Sequence, residues 1–208
     1  ASIDANKGAY SSAWMIIFGV IAAIMVLIGI YHIKMLPSTQ VPSTTKKTAS
    51  EVGHELVAVI ANFFTKKHIL YYICFIILYR LAEGFIMKIA PLFLRASRDV
   101  GGLGLSLTEI GTLNGIFGSA AFVLGSLLAG IYVSKFGLKK TLFTLCCIFN
   151  LPFVAYTFLA VAQPTNVYLI GTCITMEYFG YGFGFVGLTL FMMQQIAPGK
   201  HQMSHYAF

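Results

Sequence analysis

Apolar residues run almost unbroken through five stretches of the chain, approximately 12 to 34, 68 to 94, 107 to 134, 138 to 162 and 166 to 197. Each reaches the roughly 20 residues that a helix needs to cross the hydrocarbon core of a bilayer. A helix is also the conformation in which such a stretch hydrogen-bonds its own backbone where no water can. Polar positions gather between these runs. The pattern predicts an all-α fold class: a polytopic membrane helix bundle with about five transmembrane helices.

One connection reads differently from the rest. Residues Leu36 to Ser50 are rich in Pro, Ser, Thr and Lys and read as a flexible linker without a core. Val52, Leu56, Val59, Ile60 and Phe63 then recur at helical spacing, with Glu51, Glu55 and Asn62 on the other face. That is the pattern of a short helix in the membrane interface. The expected organisation is therefore a transmembrane helix over residues 1–35, a cytoplasmic linker with an amphipathic helix over 36–67, and a partial transmembrane bundle over 68–208.

Composition agrees with a membrane setting. The chain is 58% hydrophobic and 10% charged, against about a quarter charged in soluble domains. Its formal net charge of +7 does not point to nucleic acid, because the cations sort by connection and form no basic face with interleaved aromatics. Lys34, Lys46, Lys47, Lys66 and Lys67 follow the first run, Lys135, Lys139 and Lys140 the third, and Lys200 the fifth. The other connections carry Arg95 and Arg98 beside Asp99, or no charge. The positive-inside rule places the lysine-rich set in the cytoplasm, with the amino end outside and the carboxyl end inside.

Cys74, Cys146, Cys147 and Cys173 fall within predicted spans and lack the spacing of a metal site or a disulfide framework, so they are read as small packing residues. The first run is too long for the core of a signal peptide and follows Asp4 instead of a basic segment. With no initial methionine and no polar tail after His205-Tyr206-Ala207-Phe208, the chain is expected to be part of a longer polypeptide.

Glycine and proline refine the helices. In the third run Gly111, Gly118 and Gly125 repeat every seven residues, with Gly115 and Ser119 near the same stripe, a pattern that lets a second helix approach closely. Gly180, Gly182 and Gly184 in the fifth run serve either such packing or bending of the helix. Pro91 and Pro152 each remove a backbone donor and are expected to kink the second and fourth runs.

Arg80 and Glu83 lie one turn apart in the middle of an otherwise apolar run. An ionisable side chain at the bilayer centre costs at least about 2.5 kcal/mol, so such residues mark substrate or ion pathways, or pair within the bundle. Arg80 can hold an anionic substrate group while Glu83 takes up and releases a proton; a structural ion pair is the competing reading. Glu177 lies near the centre of the fifth run without a cation adjacent in sequence. It should find a partner on another helix, with Arg80 or Lys88 as candidates, and serve as a proton relay or substrate contact. Tyr79, Tyr181, Tyr178 and Asn114 supply further polar groups suited to a sugar or peptide.

Gly130, Lys135, Gly137, Lys139 and Lys140 punctuate the tight connection between the third and fourth runs. This arrangement resembles the motif G-x-x-x-D-[RK]-x-G-[RK]-[RK] that joins paired helices in the major facilitator superfamily, with Ser134 in place of the usual aspartate. Tyr79-Arg80-Leu81 with Glu83, Val100-Gly-Gly-Leu-Gly-Leu, Phe179-Gly-Tyr-Gly-Phe-Gly-Phe185 and His205-Tyr-Ala-Phe208 resemble the second half of the AmpG-type muropeptide permeases of that superfamily. The resemblance covers nearly the whole chain. It implies that the five runs are the sixth to tenth helices of a twelve-helix carrier, a proton-driven importer of anhydro-muramyl peptides in the cell inner membrane. It also implies a gating role for the glycine-lysine turn, a proton as coupling ion with no other cofactor, and the remaining half of the same polypeptide as partner.

Two alternatives stay open: a non-transporting membrane scaffold or receptor, and a carrier for another small sugar. No serine, histidine and acid combination has the spacing of a membrane enzyme. His201 and His205 lack a third metal ligand. Gly101-Gly-Leu-Gly104 follows no strand and precedes no Gly-Lys-Ser/Thr, so it is no phosphate loop.

Overall fold

The computed structural model describes residues 2–35, 48–199 and 205, with residues 2–10, 49 and 52 in backbone alone. The Leu36–Lys47 part of the predicted linker and His201 lie outside the described residues. Those described form helices and turns, without a strand. They divide into two compact units, residues 1–48 and 49–208.

The first unit holds one helix, α1 (Ser2–Met35). From Ser11 onward its 25 residues are apolar enough to cross a membrane. Trp14, Phe18 and Ile21 share one side and Leu27 lies on the opposite one, all exposed, and apolar character all round is what a lipid-facing helix shows.

The second unit begins with α2 (Ala49–Phe64), whose Val59 and Phe63 are buried while Leu56, Ile60 and Phe64 stay exposed. This amphipathic helix does more than lie on a surface. Phe63 packs into a core with Ile69, Val133, Leu138, Phe191 and Ile196, and Lys66 just beyond it donates to the carbonyls of Ile196 and Pro198. Those carbonyls are free because Pro198 ends the last helix there, and a cation at a helix C-terminus meets the negative end of its dipole. Burial lowers the Lys66 pKa. His205 Nε2 sits 3.2 Å from the Val59 carbonyl on the same helix.

Four longer helices follow: α3 (Ile69–Arg95), α4 (Leu107–Phe136), α5 (Leu138–Ala162) and α6 (Val167–Phe191). The first three are long and apolar enough to span a membrane. α6 is long enough at 25 residues, but Glu177, its tyrosines and its glycines dilute its apolar character. It is also the most enclosed helix, with Ile170, Ile174 and Leu188 fully buried. A helix surrounded by others can carry polar groups that a lipid-facing one cannot.

The stripe on α4 is half used. A Cβ on Gly125 would strike the Phe179 backbone of α6, and one on Gly118 would meet the Tyr178 ring 2.9 Å away. Gly111 and Gly115 face open space, and Ser119 is exposed. On α6, Gly182 abuts the Phe122 backbone of α4, while Gly180 and Gly184 take up Pro152 and Phe149 of α5. These glycines pack helices and do not interrupt α6, which stays α-helical throughout. The irregularities fall elsewhere, in π-helical turns at Leu113–Gly118 and Met192–Ile196.

Pro91 leaves α3 unbroken. Pro152 does interrupt α5, which runs Leu138–Asn150 and Pro152–Ala162 about a turn at Leu151. Asn150 Nδ2 donates to the Cys146 carbonyl at 2.8 Å beside the break.

The α4–α5 connection is a single residue, Gly137, at φ 80°, where an L side chain would be strained. Its carbonyl accepts from the Thr141 hydroxyl at 3.0 Å. A Cβ on Gly130, the first residue of the motif, would meet nothing within 4 Å, so no packing constraint in this unit requires a glycine there. Ser134, in the position of the motif's aspartate, donates to the Ile131 carbonyl at 2.8 Å. Lys135, Lys139 and Lys140 are exposed. At the other end of the helices, Arg98 caps the end of α5 through the carbonyls of Gln163 (3.0 Å) and Pro164 (2.8 Å).

Candidate functional site

α3 and α6 meet differently from α4 and α6. Large aromatics of α3 bridge the gap: Tyr72 meets Phe191 edge-on and Phe75 meets it at a tilt, with centroids 5.5 and 4.7 Å away, and Tyr79 donates to the Gly184 carbonyl at 2.8 Å. Tyr79 is buried, and its hydroxyl is spent on that bond. Its geometry is that of a core residue that fixes the angular position of α3.

With Tyr79 turned inward, Arg80 and Glu83 follow on the adjacent face. Nε and Nη2 of Arg80 both lie 3.2 Å from Glu83 Oε2. The guanidinium fork therefore closes on one oxygen of the carboxylate. The side chains differ in exposure, at 48% for Arg80 and 11% for Glu83. Glu83 is turned toward α6, within electrostatic reach of Tyr181 and Glu177.

Glu177 is half-buried, and the cation partner expected for it is absent among the described residues: Lys88 is exposed, and neither it nor Arg80 contacts Glu177. Its partner is the Tyr156 hydroxyl of α5, which donates to Oε2 at 2.9 Å. A phenol satisfies one lone pair of a carboxylate without neutralising it. Tyr178 lies within reach of the same carboxylate. Tyr181 stands between Phe122 and Phe149, with centroids 5.2 and 5.8 Å away, so that its ring is held while its hydroxyl faces Glu83 and Arg80.

Three helices thus bring Arg80, Glu83, Tyr156, Glu177, Tyr178 and Tyr181 together. Tyr79 and Asn114 make no hydrogen bond to this group among the described residues. Asn114 sits in the π-helical turn of α4 with its Oδ1 buried and unpartnered there. Gly130, Lys135, Gly137, Lys139 and Lys140 lie at the α4–α5 connection, beyond the helix segments that carry the cluster. Tyr156 went unnoticed in the sequence. A tyrosine in an apolar helix needs a partner for its hydroxyl, and that requirement was the available signal.

A concavity of about 1000 Å³ lies between α4, α5 and α6, lined by Phe117, Leu124, Leu151, Phe158 and Met176 among others. It is almost wholly apolar and holds none of the ionisable residues. No group of three or more candidate metal ligands occurs among the described residues.

A bundle of helices long and apolar enough to span a membrane, with ionisable residues gathered between three of them, is the architecture of a multi-pass membrane protein. The family model of the Major Facilitator Superfamily matches residues 8–207, and the chain belongs to that family of transporters, not to an enzyme family. Over 143 residues it is 24% identical to the anhydromuropeptide permease of Escherichia coli strain K12 and, to the same extent, to that of strain O157:H7. The match takes in 69% of this chain and 28% of each relative, so the chain spans well under half the length of these curated relatives. No solved structure matches.

Proposed function

We propose that this chain forms part of a secondary active transporter of the inner membrane that imports muropeptides, or closely related sugar-peptides, together with protons. The observation that carries the reading is the approach of Glu83 on α3 to Glu177 on α6, with Arg80 clasping Glu83. A bare cation on one helix would serve to bind an anion. A cation shared between a substrate and a carboxylate does more, because binding of an anionic group to Arg80 frees Glu83 to take a proton, and loss of the substrate reverses the exchange. Glu177 provides a second acceptor on the neighbouring helix. The likeness to permeases named for anhydromuropeptides supports the substrate class, and tyrosine hydroxyls beside charged groups suit a ligand that is both sugar and peptide.

The test is Glu83→Gln in the full-length protein, measured as pH-gradient-driven uptake of a radiolabelled anhydro-muramyl peptide into membrane vesicles. Uptake should fall at least about tenfold, equivalent to about 1.4 kcal/mol, while the protein remains inserted and folded. Unchanged uptake with an unchanged pH profile would remove Glu83 from the mechanism.

A further inference from the structure

Glu177 lies on a helix lined by glycines and enclosed by α4 and α5. Nothing in its own helix fixes the carboxylate, since an isolated glutamate has three side-chain torsions. What fixes it comes from α5. The second half of that helix starts at Pro152, after the turn at Leu151, and Gly180 of α6 lies against the Pro152 ring. One helical turn beyond Pro152, Tyr156 lies on the same side of α5, and its hydroxyl reaches Glu177 Oε2 at 2.9 Å. Glu177 Oε1 makes no hydrogen bond among the described residues.

The geometry points to Tyr156 as a positioning residue for Glu177: through the break at Leu151–Pro152 it delivers a hydroxyl that holds Oε2 and leaves Oε1 as the atom that exchanges the proton. This rests on the proton-coupled reading above. It adds a residue on a third helix, α5, so that the protonation of Glu177 depends on where that helix stands. The titratable and charged groups around Glu177 are Tyr156 from α5, Glu83 with its partner Arg80 from α3, and Tyr178 from α6 itself, with Cys173 of α6 beside Tyr156; α4 contributes no charged side chain to the cluster among the described residues. Removal of one hydroxyl therefore acts on Glu177 without displacing a neighbouring charge.

The experiment is an infrared pH titration of the carboxyl signals of the purified full-length protein, with Tyr156→Phe, Glu177→Gln and the double variant compared. Glu177→Gln identifies the Glu177 band by its loss. Tyr156→Phe should change the frequency of that band and move its midpoint by about one pH unit, a tenfold change in proton affinity, while other carboxyl bands stay in place. In the Glu177→Gln background, Tyr156→Phe should leave the carboxyl bands unaltered. A Glu177 band that is unmoved by Tyr156→Phe in a folded protein overturns the proposal, and so does an equal change in bands other than that of Glu177. Should Tyr156→Phe fail to fold, 3-fluorotyrosine placed at position 156 keeps the hydroxyl and makes it a stronger donor: a Glu177 band whose frequency and midpoint move supports the proposal, and an unmoved band overturns it. Proton-driven uptake of the anhydro-muramyl peptide by the wild type is measured separately: its absence counts against the carrier reading, whereas the infrared result decides the role of Tyr156.

Discussion

At the scale of single residues, Arg80 is the exposed member of a cluster whose other side chains are half-buried. Its contacts with Glu83 are both at 3.2 Å, and its side chain is almost half exposed. The part of the guanidinium that Glu83 does not cover is open to a ligand. A charge in an otherwise apolar span marks a substrate or ion pathway, or pairs within the bundle. Arg80→Ala should therefore weaken uptake of an anionic sugar-peptide by the full-length protein more than that of a neutral analogue. Equal losses for the two ligands would show that Arg80 merely supports the helix. Arg80→Lys should fall between wild type and Arg80→Ala for the anionic ligand, because an ammonium keeps the charge but loses the planar fork. The contrast with Tyr79, one residue earlier, is instructive. That side chain is buried, bonded to Gly184 and surrounded by Phe75 and Phe149, so its loss would act on the fold first.

At the scale of helices, two kinds of interface meet on α6. Toward α4 and α5 the contact is backbone to backbone through glycines, and toward α3 it is held open by aromatic side chains. Dispersion, which drives helix association in lipid, favours the first kind. A methyl group on Gly182 would overlap the Phe122 backbone, so α4 and α6 would have to part. Gly182→Ala should destabilise the full-length protein by about 1–3 kcal/mol, read as a lower unfolding temperature in detergent. Gly130→Ala is the matched control, since nothing lies near it, and replacing a glycine inside a helix is neutral to about 1 kcal/mol stabilising. Similar losses in both would mean that glycine flexibility and not contact matters. The spans themselves were legible in the sequence because some 20 apolar residues in a row have few other uses. The stripe of Gly118 and Gly125 was legible because a period of seven keeps one face. The triplet at 180, 182 and 184 was legible as packing glycines but not in its partners, since residues two apart on a helix point about 200° from one another and here serve two different neighbours. The π-helical turns had no signal either, as an extra residue in a turn is dictated by what packs on it. Arg80, Glu83 and Glu177 stood out by charge against an apolar background; Tyr156 did not, because only the fold reveals that Pro152 and Gly180 bring α5 to Glu177.

At the scale of the whole molecule, the question is how much chain the chemistry needs. Alternating access in carriers of this kind comes from two bundles that rock about a site near the bilayer midplane. The site must be open to one side while closed to the other, and closure requires a surface opposite α3 and α6. The residues described supply only one side of such an enclosure around Arg80, whose guanidinium is left half exposed. The relatives that match are more than three times longer than the stretch of 143 residues they share with this chain, of which it covers 28%. Proteoliposomes made with residues 1–208 alone should therefore insert the protein yet show no uptake of the anhydro-muramyl peptide above protein-free vesicles under an imposed pH gradient. Binding is a weaker demand than transport, because Arg80, Glu83 and Glu177 are already assembled on α3 and α6. The same preparation should retain a measurable, Arg80-dependent affinity for the anionic ligand in equilibrium dialysis, reduced because one wall is missing. Gradient-driven uptake by this stretch alone would mean that a single bundle can switch access by itself, and the two-bundle account of its mechanism would fall.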